Sequence, residues 1–545
     1  MNKPLARVTT AKLKLDMLKT KSSAAILRFL GIAFTSIFLF SNPCSAQTKS
    51  DLTNCYENSK TNPDVALRYC TTAIQSGSLS QENLANAYMD RGIAYYTSKD
   101  FDRAIADDDQ AIRLNPKSSL AFYNRAIAYN SKKDFDRAIQ DYDQSIRLDA
   151  TYSPAFMARG NAYDDKGDHD RALLDYNEAL RLDPNFAQAY YERGVTFKRK
   201  GDLDHAIMDF DQNIRLNPTY IDAFNARGNT YRQKSDYDRA ILDYNEAIRL
   251  NPNYQFAFYN RGLTYYNKKD YDHAIQDFDQ AVRLDPSDSF AFSTRGDAYD
   301  DKGDHDRAII DYNEAIRLNP TRAVNYYDRG ICYKRKGDFD RALSDFNQVI
   351  RLDPTYVAAF TYRGHVYLAT NDFEHAIQDY DQVIKMNPKN TQAFFRRGLA
   401  HFCLGQYDLA QKDFAALVPL APKDVYDPIW SYLIQTKSGV DGRSELQKNA
   451  LALNSKTWPA QVMDFYLKTA TAESVLSAAK NPDPVAEKTQ LCEAYFYLAE
   501  SALLGGNRAE AAQLFQKSLD TGTPNNVEFV VAKNELRRLK SAPGF

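Results

Sequence analysis

"RAIIDYNEAIRLNP" spans residues 307–320 and sets Asp311 and Glu314 either side of Tyr312 and Asn313. Two carboxylates this close are a candidate acid–base pair. Near copies recur, however: "RALLDYNEALRLDP" at 171–184, "RAILDYNEAIRLNP" at 239–252 and "RALSDFNQVIRLDP" at 341–354. A catalytic pair has no reason to be copied along a chain, whereas a packing unit has.

The copies keep strict time. Arg-Gly recurs every 34 residues from Arg91-Gly92 to Arg397-Gly398, with Arg125-Ala126 filling the one gap. A proline keeps the same step from Pro116 to Pro422, with Ala150 in the missing slot. Each unit reads as two helices. In the first, Phe258, Gly262 and Tyr265 are spaced four and three apart, as one helical face requires. Asp304 is suited to cap the second helix, because its carboxylate can accept free backbone N–H groups. Ala308, Tyr312 and Ala315 form that helix's packing stripe, and Pro320 cannot continue it.

This pattern resembles the tetratricopeptide repeat (TPR) family, which keeps an aromatic, Gly, Tyr, Ala, aromatic, Ala and Pro at fixed offsets over 34 residues. In the seventh repeat these are Phe292, Gly296, Tyr299, Ala308, Tyr312, Ala315 and Pro320. Ten such repeats cover 85–424. The resemblance implies an all-α fold, a right-handed superhelical solenoid of antiparallel helix pairs with a helical C-terminal cap. Departures are local: Asp108 replaces the second-helix aromatic in repeat 1, His401 the Tyr in repeat 10, and Asn213 and Val349 the second Ala in repeats 4 and 8. Tyr312 is then core and Pro320 punctuation, while Asp311 and Glu314 are expected on the solvated outer surface of the second helix.

The histidines follow the same logic. His169 and His305 share one repeat position, and His205, His273 and His375 another. Equivalent positions in stacked repeats should lie about 10 Å apart, too far to share a metal. No metal and no cofactor are expected. A longer period is also present: "AYDDKGDHDRA" starts at 162 and again at 298, and "KRKGD" at 198 and 334, each four repeats apart.

TPR arrays coil so that first helices line a concave groove. The groove-facing offsets lie three before the Gly, one after it and four after it. Here they supply candidate partner-binding residues: Met89, Tyr96, Tyr191, Lys198, Tyr259, Leu263, Tyr266, Tyr327, Lys334, Phe395, Leu399 and Phe402. Their aromatics are of the kind that dominates interface energies. Around Phe395, Leu399 and Phe402 the alternative is burial under the segment that must cap the array. The Lys with which some family members hold a chaperone's C-terminal carboxylate is absent at the first offset.

The ends differ from the array. Residues 1–46 read as a signal peptide: seven Lys and Arg precede the apolar run "FLGIAFTSIFLF" (29–40), too short to span a bilayer comfortably, with small Ala46 as the residue before cleavage. Met17 as start, lipidation at Cys44 and a retained anchor are the alternatives. Residues 1–46 hold seven of the 69 Lys and Arg and one of the 71 Asp and Glu, so the remainder carries 62 basic and 70 acidic residues, net −8. Such a surface argues against nucleic acid as partner. Residues 47–84 read as an N-terminal helical cap. Export permits disulfides, and Cys55 is expected to pair with Cys70, closing a loop that could add about 3 kcal/mol. Cys332 reads as a buried free thiol; Cys403 and Cys492 are undecided.

Residues 425–545 lose the period and hold both tryptophans, Trp430 and Trp458. "CEAYFYLAESALLGGNRAEAAQLFQKSL" (492–519) looks like one degenerate TPR. With "DFYL" before it and "NNVEFVVAKNELRRL" (525–539) after it, the segment resembles the C-terminal part of the NlpI family of envelope adaptors. That resemblance implies partners such as peptidoglycan hydrolases or an envelope protease. The chain has no HExxH, GxSxG or GxxxxGK[ST] signature, so an enzyme is not expected. The expected function is an exported scaffold binding partner segments in its groove, periplasmic or secreted. Membrane contact would run only through a retained signal segment, and homo-oligomerisation stays open. The alternative is direct binding of peptidoglycan or another envelope polysaccharide.

Overall fold

A computed structural model describes residues 46–524 and 526–541. The expectations for the signal segment 1–46 and for Cys44 therefore fall outside the described side chains. The described residues form 29 helices and no strand, and none of the helices is long and apolar enough to cross a membrane. The chain falls into two compact units, 1–264 and 265–545.

Within each unit consecutive helices pack in antiparallel pairs, for the reasons written in the repeat. Every second helix from repeat 1 to repeat 9 starts on an aspartate that accepts from the backbone N–H three residues on, as Asp304 does from Arg307 and Asp100 from Arg103. The turn before it holds one residue in the left-handed region, where a side chain is strained. Gly303 and Gly337 take that position in two repeats, Lys133 and Lys269 in two others. The pair closes where a glycine meets a ring: a Cβ on Gly296 would stand 2.9 Å from a Tyr312 ring carbon. Tyr312, Ala308 and Ala315 have no solvent exposure.

Asp311 departs from expectation. It is 2% exposed, not solvated, because Arg295 reaches across from the first helix and donates to both its oxygens. The third nitrogen of Arg295 donates to Asp279 of the preceding repeat at 2.7 Å. The same arginine bridges recur at Arg125, Arg159 and Arg227 in the first unit and at Arg397 in the second. Arg193, Arg329 and Arg363 use an asparagine as the far partner. Glu314 is partly exposed and pairs with Arg317 one turn on.

In the first unit the cap helices Ala46–Asn58 and Pro63–Gln75 are joined by a Cys55–Cys70 disulfide. The bridge between repeats ends here on a neutral group: Arg91 donates to Thr71 Oγ1 at 3.2 Å. In the second unit, residues 425–541 do not stand apart from the array. They share one core with repeats 9 and 10, centred on Trp430, which has no exposure and packs on Phe402, Phe414, Phe496 and Tyr497. The last helix, Val527–Ser541, folds back so that Asn534 donates to the Cys403 carbonyl at 3.1 Å. Lys437, almost buried, pairs with Glu500 and Glu535. Cys332, Cys403 and Cys492 are buried free thiols.

Candidate functional site

The twelve first-helix candidates divide by exposure. Met89, Tyr96, Tyr191, Lys198, Tyr259, Tyr266, Lys334 and Phe395 are half-buried. Leu263 and Tyr327 are 7% exposed, Leu399 2% and Phe402 not at all, so these four belong to the core. The reasons are local. The position after the glycine is buried where it is Ile or Leu, as at Ile93, Ile127, Ile331 and Leu399. Tyr327 lies under Tyr356 and Tyr362, with ring centres 5.2 and 5.7 Å away. Phe402 is closed over by Trp430 and Tyr407.

Two of the half-buried tyrosines keep their hydroxyls on polar neighbours. Tyr96 shares a hydrogen bond with Ser131 at 3.1 Å. Tyr266 donates to Asp301 Oδ2 at 2.5 Å. In the first unit the face around Tyr191 is acidic as well as aromatic. Tyr220 stands edge-on to Tyr191, and Tyr254 donates to Asp222 at 2.7 Å. Glu192 accepts from Gln188 at 2.6 Å. Burial pushes the Glu192 carboxyl up to about 7, with Asp165 and Asp222 adding to the rise. In the second unit the face around Lys334 is cationic, with Arg396 and His365 beside it. Arg396 sits two before its glycine, outside the three groove-facing offsets, whereas His365, one after Gly364, stands at one of them.

The expectation about metals compared equivalent histidines only. The structure groups residues of different positions: Asp300, His305 and Cys332 bring ligand atoms within 4.8 Å of one another. That carboxylate is already taken. Arg335 donates to both its oxygens at 2.5 Å, His305 Nδ1 lies 2.8 Å away, and the Cys332 thiol donates at 3.3 Å. Four repeats earlier Asp164 has the same surroundings, with His169, Arg199 and the Thr196 hydroxyl in place of the thiol. A hydroxyl fills the same role, so what the two copies share is a satisfied buried carboxylate rather than a ligand set.

Tetratricopeptide repeat profiles match residues 62–153 and 361–425, 187–220, 256–288 and 323–356, and 493–521. A TPR repeat profile matches 160–201, 228–269 and 296–337. Among curated proteins, the Lipoprotein NlpI homolog of Haemophilus influenzae is 32% identical over 123 residues, 22% of this chain and 38% of the relative. The chain thus spans less than half the length of that relative. Similar solved structures include YrrB, a TPR protein with an unusual peptide-binding site: 23% identical, TM-score 0.31, 34% of this chain and 97% of that one. Another is MamA: 28% identical, TM-score 0.29, 30% of this chain and 96% of that one.

Proposed function

Because the chain belongs to the tetratricopeptide repeat family, we propose that it is an exported scaffold of the bacterial cell envelope whose first helices hold segments of partner proteins. The observation that carries this reading is that Tyr96, Tyr191, Tyr259 and Tyr266, on first helices, are each left partly exposed. Anchors of that type, rigid and partly apolar, supply contact area at low entropic cost. The Cys55–Cys70 disulfide supports an oxidising compartment, as does the basic and apolar pattern of residues 1–46. The likeness to the NlpI homolog supports an envelope location, with peptidoglycan hydrolases or an envelope protease as partners.

Photo-crosslinking amino acids at Tyr96, Tyr191 and Tyr259 test the reading in cells, with Leu242 as control. Leu242 lies on a second helix and is 65% exposed. Protein adducts at the three tyrosines and none at Leu242 are expected. Adducts at Leu242 alone would move the interaction off the first helices. Absence of adducts, with the purified chain sedimenting on bare cell-wall sacculi, would favour the polysaccharide alternative.

A further inference from the structure

Lys334, His365 and Arg396 lie on the first helices of repeats 8, 9 and 10, 31 residues apart. Thirty-one is one repeat less three residues. Each step therefore crosses to the next first helix and moves back by close to one turn. The three form a diagonal row over neighbouring helices, and Tyr362 sits within it. Lys334 Nζ is 5.9 Å from the centre of the Tyr362 ring, and the His365 ring is 5.3 Å from it.

The row is cationic and uncompensated. Lys334 and Arg396 are half-buried, and neither has a carboxylate within ion-pairing distance among the described residues. This sets them apart from Arg295, Arg329 and Arg363 of the Arg-Gly pairs, each of which grips an aspartate. Asp300, at the repeat-7 position equivalent to Lys334, is already held by Arg335. Burial lowers the proton affinity of Lys334, and Arg396 and Arg335 lower it further. His365 is held well below its ordinary range by burial, then by Arg396 and Lys334, so it is neutral at pH 7. Its Nε2 is buried with no hydrogen-bond partner.

We infer that this row seats an acidic segment of a partner protein, the side-chain carboxylates of its Asp and Glu residues docking between Lys334 and Arg396. The reasoning is charge complementarity. Two like charges held together and partly desolvated repel, and an anion placed between them relieves that repulsion. Tyr362 offers an apolar face beside them. The inference rests on the first-helix reading above and narrows it to a partner chemistry.

The test uses the full chain and three labelled peptides, read by fluorescence anisotropy. One alternates Glu and Tyr and is amidated at its C-terminus. The second has Gln for Glu. The third is the Gln peptide with a free C-terminal carboxylate. The Glu peptide should bind more tightly than either other peptide and weaken with salt. Lys334→Gln with Arg396→Gln should weaken it about ten-fold. Lys133→Gln with Lys269→Gln, the same change in net charge on exposed turns, should leave it unchanged. Circular dichroism confirms that both variants fold, and the single exchanges serve if the double one does not. Equal binding of the Glu peptide by the parent and the Lys334/Arg396 variant overturns the inference. So does binding of neither acidic nor neutral peptide, or binding of the free-carboxylate peptide alone. Crosslinking at Tyr96 and Tyr191, in the other unit, reports on the first-helix reading separately.

Discussion

Arg295 and Asp311, on the two helices of one repeat, are joined by parallel hydrogen bonds of 2.8 and 2.6 Å. The carboxyl is raised above its ordinary range by burial, even though Arg295 pulls the other way. Arg295 for its part, despite burial, is held above its ordinary range by Asp311 and Asp279, so desolvation offsets much of the attraction, and the pair fixes geometry more than it adds stability. Removing one partner should be costly, because the other charge stays behind. Asp311→Ala should lose about 3 kcal/mol, and Arg295→Leu with Asp311→Leu clearly less. Urea titrations of both variants check this; a double variant as unstable as Asp311→Ala would contradict it.

The core that caps repeat 10 should respond to pH. Burial raises Glu528 from 4.5 to about 8, with Glu493 adding to the rise, and raises Glu500 to about 7. Both groups bind protons more tightly folded than unfolded. Their stabilising contribution is thus complete below about pH 4.5 and is lost as pH rises through 7 and 8. Glu528→Gln keeps an oxygen to accept from the Tyr497 hydroxyl, 3.0 Å away in the parent. That variant should show a flatter fall in melting temperature between pH 5 and 8.

Phe402 and Tyr259 occupy offsets that look alike in the sequence, yet their deletions should differ. Phe402→Ala opens a cavity beside Trp430 and should cost about 3–5 kcal/mol. Tyr259→Ala, half-buried, should cost about 1 kcal/mol or less and lower partner crosslinking instead. A melting temperature for Phe402→Ala equal to the parent would restore it as a surface anchor.

Asp108 stands where sister repeats place a ring against the glycine. Its carboxyl is buried with one oxygen lacking a partner, and burial drives its proton affinity far up. Asp108→Phe should stabilise the chain by about 1–3 kcal/mol, measured by chemical denaturation. A loss would mean that the space beside Gly92 cannot accept a ring.

The same particulars show what a reader of the sequence can and cannot see. Gly296, Tyr312, Ala308 and Asp304 carry out the tasks their spacing announces, since each task is local to one helix pair. Asp311 is buried against expectation because its partner, Arg295, lies sixteen residues back on the other helix, a pairing the pattern of one helix does not show although Arg and Asp repeat that offset throughout. Phe402 is buried by Trp430, which lies outside the period and so leaves no periodic trace. Lys334 and His365 stand at groove-facing offsets of the 34-residue period but Arg396 does not, so the step of 31 that joins the three leaves no mark in that period.

Arg295 holding Asp311 in its own repeat and Asp279 in the one before has a consequence for how such a chain can grow. A stretch of gene 34 codons long encodes a helix pair together with the fasteners for both neighbours. Copied and inserted in frame, it meets an aspartate or asparagine on one side and offers one on the other. The near-identical surroundings of Asp164 and Asp300, four repeats apart, are what block duplication of that kind would leave. Array length is then a freely heritable trait, and lineages can lengthen or shorten the surface they present without inventing a new junction.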